Sequence, residues 1–413
     1  MLTNHALLMK SKSIDISRAT PSCHARKPKV HASKRLSTFL LGALLVLVLP
    51  RPGQSQNMQT QYAPDVQPDG RVTFRLLAPN AETVILAREG AQPTPMQRDD
   101  EGVWAFTTEP LPPNIYAYSF VVDGNIVGDP TNPMTKPFVM SSPQSLVHVP
   151  GPDTLSWEIN DVPRGVLHRH FYTSEAVAEE RSFQVYTPPG YEPTTDRKYP
   201  VLYLLHGVMD DENAWTTAGR AHIILDNLIA RGQATPMLIV TPQGYGFPDA
   251  PSRVGELFQP GTNQQQIMDV FAGILLDEII PQVEAAYAVE TDRTARALAG
   301  LSMGGAQALY IGLNHLERFA WIGSFSGAFM MYGGRFDTFF PKLNDESNTR
   351  MRLLWTGCGT EDFVIGINRM YSEWLASKNI AFTYHETAGG HTWMVWRRYL
   401  TSFAPLLFKP EGE

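Results

Sequence analysis

A serine set between glycines is the first feature of this sequence that could do chemistry. Ser302 stands in AGLSMGGAQAL, residues 299–309, with Gly300 and Gly304 two positions away. Gly-x-Ser-x-Gly is typical of a nucleophile elbow, a sharp strand-to-helix turn that exposes a hydroxyl. It also fits an ordinary tight turn, since glycine tolerates strained backbone. The buried-strand pattern RALAGL before the serine and the helical pattern after it favour the elbow, where a side chain at Gly304 or Gly305 would collide with the neighbouring strand. We predict that Ser302 is a nucleophile.

A serine hydroxyl is a weak nucleophile, so it needs a general base that a carboxylate orients. With this motif the chain order is serine, acid, histidine, and His315, His385 and His391 follow the elbow. His315 falls in the helix that leaves the elbow and His385 within a predicted strand, where surface or packing roles are expected. His391 lies in the glycine loop AGGHTW, from which an imidazole can reach over the sheet edge. An ordinary histidine at a helix N-terminus is the alternative, and we predict that His391 is the base.

The acid must come from the carboxylates between Ser302 and His391. Among them, only Glu361 and Asp362 directly follow a buried-strand pattern, in LLWTGCGTEDF. They lie at its carboxyl end, where this architecture gathers its functional groups. We predict Asp362 as the acid, with Glu361 as the second choice.

The negative charge that develops on an attacked carbonyl oxygen needs N–H donors. We expect these from the backbone of Met303, directly after the nucleophile, and of Val208, in the loop after LYLLHG. His206 in that motif could be another catalytic histidine. Gly207 lets the backbone approach a substrate and no second acid–base pair accompanies His206, so we interpret His206-Gly207 as loop architecture.

Aromatic residues follow several strand ends, in loops expected around the site. A slot for an acyl group or a sugar ring is one interpretation and packing of the loops is another. The four predicted substrate-binding residues are Trp215, Tyr245, Phe247 and Trp393.

A scaffold must bring these residues together, and the pattern from residue 166 onward predicts one. Strand-like runs occupy residues 182–188, 200–207, 237–242, 296–302, 321–327, 352–358 and 380–386. Helical patterns fall near residues 221–231, 264–287, 304–316, 366–378 and 392–403. Apolar strands that alternate with amphipathic helices predict an α/β fold, with a mostly parallel sheet covered on both faces.

Residues 62–150 have an all-β pattern instead. Alternating runs at 71–77, 83–89, 103–108 and 115–124 are separated by Pro, Gly, Asn and Asp. In the last run Tyr116, Tyr118, Phe120 and Val122 share one face, and Asp123-Gly124 predicts a hairpin. We predict a small immunoglobulin-like sandwich, a linker rich in Pro and Gly over 151–165, and the α/β domain over 166–410.

Composition excludes several classes of function. Hydrophobic residues make up 43% of the 413 and charged residues 18%, which is typical of a globular protein. A net charge of −7, with the clearest basic cluster confined to residues 26–35, argues against a nucleic-acid partner. Only Cys23 and Cys358 are present, so neither a disulfide framework nor zinc-ligand spacing is predicted. Neither a metal nor an organic cofactor is indicated.

An export signal is predicted within residues 1–56. The apolar run LSTFLLGALLVLVL, residues 36–49, follows Lys34-Arg35 and has the length of a signal-peptide core rather than of a membrane span. Because its leading segment is unusually long, a start codon placed too early and an uncleaved anchor are alternatives. We expect cleavage, no stable membrane span afterwards, and a secreted or periplasmic protein.

Four motifs in order resemble carbohydrate esterase family 1: LLHG (204–207), GLSMGG (300–305), CGTED (358–362) and GGHTWMVWR (389–397). That group holds feruloyl and acetylxylan esterases, with relatives in the esterase D and enterochelin-esterase groups. The resemblance covers about residues 165–408 and implies an α/β-hydrolase fold, with the same assignments of nucleophile, acid, base and oxyanion amides. The segment 62–150 is similar, more weakly, to the early-set, glycogen-binding-like modules that precede several such esterases, which either bind glucan or pack against the catalytic domain.

The resemblance and the export signal together imply hydrolysis of carboxylic esters on a plant polysaccharide, feruloyl or acetyl xylan, through an acyl-enzyme. Hydrolysis of a siderophore ester is a second expectation, although such enzymes usually act inside the cell. A non-catalytic carbohydrate-binding protein on a hydrolase scaffold is a third, and the complete set of predicted catalytic residues disfavours it.

Overall fold

The computed structural model describes residues 61–137, 143–259, 261–328 and 335–409, which all fall in one compact unit. The predicted export segment, residues 1–56, lies outside the described residues. Among these residues, none of the helices combines the length and the apolar character that a membrane crossing requires.

The N-terminal β region consists of two sheets. Its strands are β1 (Asp65–Val66), β2 (Val72–Leu77), β3 (Val84–Arg88), β4 (Thr94–Pro95), β5 (Gln97–Arg98), β6 (Val103–Thr107), β7 (Asn114–Val122), β8 (Asn125–Val127), β9 (Thr135–Lys136) and β10 (Gln144–Val149). One sheet has the order β1-β2-β6-β5; the other has the order β4-β3-β7-β10-β9, with β8 paired to β7.

The two sheets share one apolar core, which explains the sequence alternation. Tyr116, Tyr118 and Phe120 are buried in it together with β2 side chains such as Phe74, so the predicted common face of β7 is confirmed. The hairpin at Asp123-Gly124 is also confirmed, because Val122 pairs with Asn125 and both turn residues have positive φ. An immunoglobulin-like topology stays a prediction.

The C-terminal region has an eight-stranded sheet, the α/β sheet. Its strands are β11 (Val166–Ser174), β12 (Glu179–Thr187), β13 (Val201–Leu205), β14 (Leu238–Pro242), β15 (Arg296–Leu301), β16 (Trp321–Phe325), β17 (Leu353–Gly359) and β18 (Thr383–Thr387). Their order is β11-β12-β14-β13-β15-β16-β17-β18. Strand β12 runs antiparallel to both of its neighbours, β11 and β14, and all neighbouring pairs from β14 to β18 are parallel.

Helices cover both faces of the α/β sheet. They are α1 (Ala214–Thr217), α2 (Ala221–Ala230), α3 (Ala250–Arg253), α4 (Gln264–Gly273), α5 (Ile280–Ala286), α6 (Met303–Asn314), α7 (Phe336–Phe339), α8 (Ile365–Ser377) and α9 (Trp393–Phe403). A π-helical segment, Ile274–Ile279, joins α4 to α5. Alternate residues of β13 enter different cores: Tyr203 and Leu205 face one helical layer, and Leu202 and Leu204 face the other. This is the predicted mostly parallel sheet with both faces covered.

Candidate active site

The turn between β15 and α6 holds Ser302 in a strained conformation. Ser302 has φ 52° and ψ −116°, a region that non-glycine residues occupy rarely and mostly at functional sites. A Cβ at Gly304 would overlap the carbonyl oxygen of His206, and one at Gly305 would lie 2.8 Å from Ser324 Oγ. The steric role predicted for these glycines is therefore confirmed, and the strand-turn-helix setting of an elbow is present.

Three side chains predicted from distant parts of the chain meet at the carboxyl end of the parallel strands. His391 Nε2 lies 2.9 Å from Ser302 Oγ. On its other side, His391 Nδ1 lies 2.9 and 3.0 Å from the two oxygens of Asp362. A serine, an imidazole and a carboxylate joined in this order can move a proton off the hydroxyl and stabilise the imidazolium that forms.

Burial and backbone contacts distinguish the two predicted acids. Asp362 is 2% exposed, and its Oδ1 also accepts the N–H of Val364 at 3.0 Å. Glu361 is exposed, and its N–H donates to the carbonyl of Gly389 at 3.1 Å, which ties the acid loop to the histidine loop. The geometry thus brings Asp362, and not Glu361, to the imidazole.

The other histidines lie where packing or surface roles were predicted. His315 is half-buried and contacts Glu317, and His385 stacks on Trp355 with ring centroids 5.0 Å apart. His206 is 1% exposed; its Nε2 accepts the N–H of Gly244 at 2.8 Å, and its Nδ1 lies 2.7 Å from the carbonyl of Gly207. These bonds pin the loop after β13 to the loop after β14, so the interpretation of His206 as loop architecture is confirmed.

The two residues predicted to supply the oxyanion amides lie close together, because Val208 packs against the small apolar cluster that contains Met303. Met303 is the first residue of α6, so its N–H is one of the four that have no acceptor within the helix. Val208 follows β13 and lines a cavity of about 350 Å³. The lining includes Glu89, Lys136, Val208, His391, Trp393 and Trp396. Residues of the N-terminal β region therefore form part of the wall beside His391.

The predicted aromatic slot is wrong for at least two of its four members. Trp215 is 0% exposed and its Nε1–H donates to the carbonyl of Leu205 at 2.9 Å. Tyr245 is 1% exposed and its hydroxyl donates to the carbonyl of Asp210 at 2.9 Å. Both side chains are buried, and the polar atom of each donates to a backbone carbonyl of the protein, so the packing interpretation holds for them.

Of the other two aromatic residues, Trp393 is almost fully buried and Phe247 lines a different cavity. Trp393 is 3% exposed and packs edge-on against Trp215, 5.1 Å between ring centroids, yet it borders the cavity. Phe247 lines a second cavity of about 370 Å³, together with Arg253 and Ile267. The lining of that second cavity does not include Ser302 or His391.

Sequence reasoning missed Phe363, which directly follows the acid. Its side chain is 72% exposed, and its ring centroid lies 4.5 Å from that of His391. Trp396 contacts the imidazole from another direction at 4.9 Å. An aromatic residue next to an acid at a strand end was the available signal, since a large apolar side chain at that place has no strand or helix to bury it.

A buried thiol lies close to the acid. Burial, together with the charge of Asp362, raises the pKa of Cys358 to about 12. Cys358 is at the end of β17, is 0% exposed and forms no disulfide within the described ranges. In those same ranges no group of three or more His, Cys, Asp or Glu side chains is arranged to hold a metal ion.

Comparison with known proteins assigns the family. The family model described as "Putative esterase" matches residues 174–406, more than half of the chain. The chain belongs to this esterase family.

Three known proteins illustrate what this chain is similar to. An endo-1,4-beta-xylanase/feruloyl esterase of Xylanibacter ruminicola is 30% identical over 368 residues, 87% of this chain and 47% of that protein. The solved structure of a ferulic acid esterase from Anaeromyces mucronatus is 25% identical, with a TM-score of 0.53, and the match covers 62% of this chain and 96% of that one. An enterobactin esterase from Shigella flexneri is 22% identical, with a TM-score of 0.62 over 86% of this chain and 98% of that one.

These likenesses fix the fold and the family. The chain has the α/β-hydrolase fold, preceded by the β region, and it is a member of the esterase family. It spans about half the length of the Xylanibacter protein.

Proposed function

We propose that the protein is an exported serine carboxylester hydrolase that cleaves feruloyl or acetyl esters on plant polysaccharides through an acyl-enzyme. The observation that carries the proposal is the continuous hydrogen-bonded chain from Asp362 through His391 to Ser302. The Xylanibacter relative, described as a xylanase/feruloyl esterase, and the Anaeromyces ferulic acid esterase support the substrate class. The predicted signal segment supports export.

In the proposed mechanism Ser302 Oγ attacks the ester carbonyl while His391 Nε2 takes its proton. Asp362 keeps the imidazole in the tautomer with a proton on Nδ1 and stabilises the imidazolium. The N–H groups of Met303 and Val208 stabilise the oxyanion, and removing one such donor typically costs about a hundred- to a thousandfold in rate. His391 then protonates the departing alcohol, and water repeats the sequence on the acyl-enzyme to release the acid.

Hydrolysis of p-nitrophenyl acetate by the wild type and by Ser302→Ala tests this mechanism. We expect Ser302→Ala to lose at least about a thousandfold in kcat, because the nucleophile and its base act as a unit. Equal rates for the two proteins would defeat the esterase mechanism and leave a carbohydrate-binding protein on a hydrolase scaffold.

The exposed ring of Phe363 favours an aromatic acyl group over acetyl. A ferulate ring packed on this ring would bury apolar surface that an acetyl group does not reach. We expect Phe363→Ala to raise KM for methyl ferulate about threefold to tenfold and to leave KM for p-nitrophenyl acetate nearly unchanged. An equal change for both substrates would contradict an acyl-ring contact at Phe363.

A siderophore ester is the second candidate substrate. Its supporting observation is that the Shigella enterobactin esterase matches 86% of this chain, which includes parts of both regions. Methyl ferulate, acetylated xylan and a catecholate triester compared side by side rank the candidates. A kcat/KM for the triester far above the other two would replace the polysaccharide assignment with the siderophore one.

A further inference from the structure

A turn of the N-terminal β region reaches the backbone next to the catalytic histidine. Glu89 directly follows β3, and its Oε1 accepts the N–H of Trp393 at 2.5 Å. Its Oε2 accepts the N–H of Ala117 in β7 at 3.2 Å. Trp393 is the first residue of α9 and comes two positions after His391. One carboxylate therefore joins the β region to the chain segment that carries the base.

The N-terminus of α9 lacks a cap of its own. Helices leave their first N–H groups without acceptors, and a side chain at the N-cap position usually supplies one. Thr392 occupies that position in α9 but makes no side-chain cap, and its buried hydroxyl has no hydrogen-bond partner within the described part of the chain. Glu89 supplies the missing acceptor from 304 residues away in sequence.

The shape of the turn fits this contact. Gly90 has a positive φ of 73°, and a Cβ there would lie 2.7 Å from the terminal methyl carbon of Met394. Met394, the second residue of α9, packs against the core of the β region. Backbone and side chains at the start of α9 are thus held on the same turn.

The positive charge that acts most strongly on the Glu89 carboxyl is the guanidinium of Arg397. Burial raises the pKa of the Glu89 carboxyl, whereas the Arg397 guanidinium and the two N–H donors act in the opposite direction. Arg397, four residues after Trp393, is 0% exposed, and it donates to Asn114 Oδ1 at 2.7 Å and to the carbonyl of Ile115 at 2.5 Å. The carboxylate and the guanidinium therefore link the first turns of α9 to β3 and β7.

A buried ion pair joins the β region to another loop that lines the cavity. Lys136 Nζ lies 2.7 Å from Asp210 Oδ1, with both side chains at most 7% exposed. Asp210 comes two residues after Val208, the predicted oxyanion donor. The β region therefore contacts two of the loops that line the cavity beside His391.

We propose that Glu89 is a positioning residue that fixes the loop bearing His391 at hydrogen-bonding distance from Ser302. The inference rests on the proposed function, in which His391 is the base. Its physical reason is that an imidazole displaced by about 1 Å can cost about a hundredfold in rate. Without the tertiary cap, the N-terminus of α9 and the preceding loop lose the acceptor that sets their place.

The test compares Glu89→Gln with Glu89→Asp in the full-length chain, with p-nitrophenyl acetate as substrate. Glutamine keeps an oxygen at the same reach, whereas aspartate keeps the charge but is one methylene too short for the N–H of Trp393. We expect Glu89→Asp to lower kcat about tenfold to a hundredfold with KM within threefold of the wild type. Glu89→Gln should keep kcat within about threefold, because its single amide oxygen still accepts the N–H of Trp393 while only the N–H of Ala117 loses its acceptor.

Asn227→Ala is the matched control for loss of stability alone. Asn227 is 0% exposed, and its amide donates to the carbonyls of Ser156 and Glu158 at 2.7 and 2.8 Å. Like the substitution at Glu89, its removal deletes hydrogen bonds of a side chain inside the protein. Neither of the two bonds lost at Asn227 involves the histidine loop. We expect a lower Tm with kcat unchanged.

Three outcomes would overturn the inference: a Glu89→Asp variant with wild-type kcat, a Glu89→Gln variant as impaired as Glu89→Asp, or an Asn227→Ala variant that loses kcat equally. The rate at which a fluorophosphonate labels Ser302 gives a second readout, expected to fall with kcat in Glu89→Asp alone. Failure of the proposed function is distinguishable, because then the wild type itself shows no activity that depends on Ser302.

Discussion

Asp362 and Glu361 are adjacent acids, and only one of them touches the imidazole. Asp362→Asn should lower kcat about ten-thousandfold, because an amide favours the wrong imidazole tautomer and cannot stabilise the imidazolium. Glu361→Gln should leave kcat within about twofold, since the side chain is exposed and the only described link to the histidine loop is its backbone N–H. Rates of p-nitrophenyl acetate hydrolysis measure both. A Glu361→Gln variant as inactive as Asp362→Asn would contradict the geometry.

His222 in α2 gives a prediction about pH. Burial and the positive charges of Arg220 and Arg164 lower the pKa of His222 to about 4. The unfolded chain takes up a proton near pH 6.5 that the folded chain refuses until about pH 4, so stability falls as pH decreases across this window. We expect His222→Gln to lose about 2 kcal/mol less than the wild type between pH 7.5 and 5.0 in urea unfolding. Equal losses in the two proteins would show that His222 does not titrate in this way.

At the residue scale, the sequence predicts which residues could do chemistry better than it predicts which side chains contact each other. Ser302, Asp362 and His391 could be identified because the order of the motifs and their places at strand ends restrict the choice. Trp215 and Tyr245 could not be assigned correctly, since a loop aromatic has the same sequence signal whether its polar atom is satisfied inside or its ring faces a ligand. Glu89 gives no sequence signal at all, because its partner is a backbone N–H 304 residues away.

At the scale of elements, the elbow depends on close approach of two backbones. Gly304→Ala should destabilise the fold by about 1–3 kcal/mol or more, because its Cβ would overlap the carbonyls of His206 and Leu205. Gly366→Ala is the matched control: Gly366 is exposed in α8 with no atom within 4 Å of an added Cβ. It should stabilise by about 0.5–1 kcal/mol through helix propensity. Urea unfolding that moved in the same direction for both variants would contradict this account.

The elements themselves were largely predictable, and the exceptions have physical causes. All seven strands predicted after residue 166 are present. The central parallel strands β13 to β17 are buried on both faces and read as continuous apolar runs. Strand β11 was missed, since it is an edge strand whose residues are mostly exposed and include His168 and His170. The π-helical segment within the predicted helix 264–287 was missed as well, because its apolar residues follow a helical pattern like that of the flanking turns.

At the scale of the whole molecule, the β region and the α/β sheet share a core. Ile115, Ala117 and Leu146 of the β region belong to the same apolar cluster as α2 and α9, and Lys136 is buried against Asp210. The sequence predicted two domains and a linker, with packing between the domains as one of two alternatives. It did not indicate which strand makes the contact, since strand β7 is apolar on both faces for two different partners. The shared core implies that neither region unfolds alone.

We therefore expect a single cooperative unfolding transition, measured by calorimetry or by fluorescence and far-ultraviolet circular dichroism in urea. Lys136→Ala leaves Asp210 buried without its partner, and breaking such a pair typically costs about 3–5 kcal/mol. The loss should shift the entire transition to lower urea concentration, although the lysine belongs to the small β region. Two separated transitions in the wild type, or a shift in Lys136→Ala confined to the first part of the curve, would show that the regions fold independently.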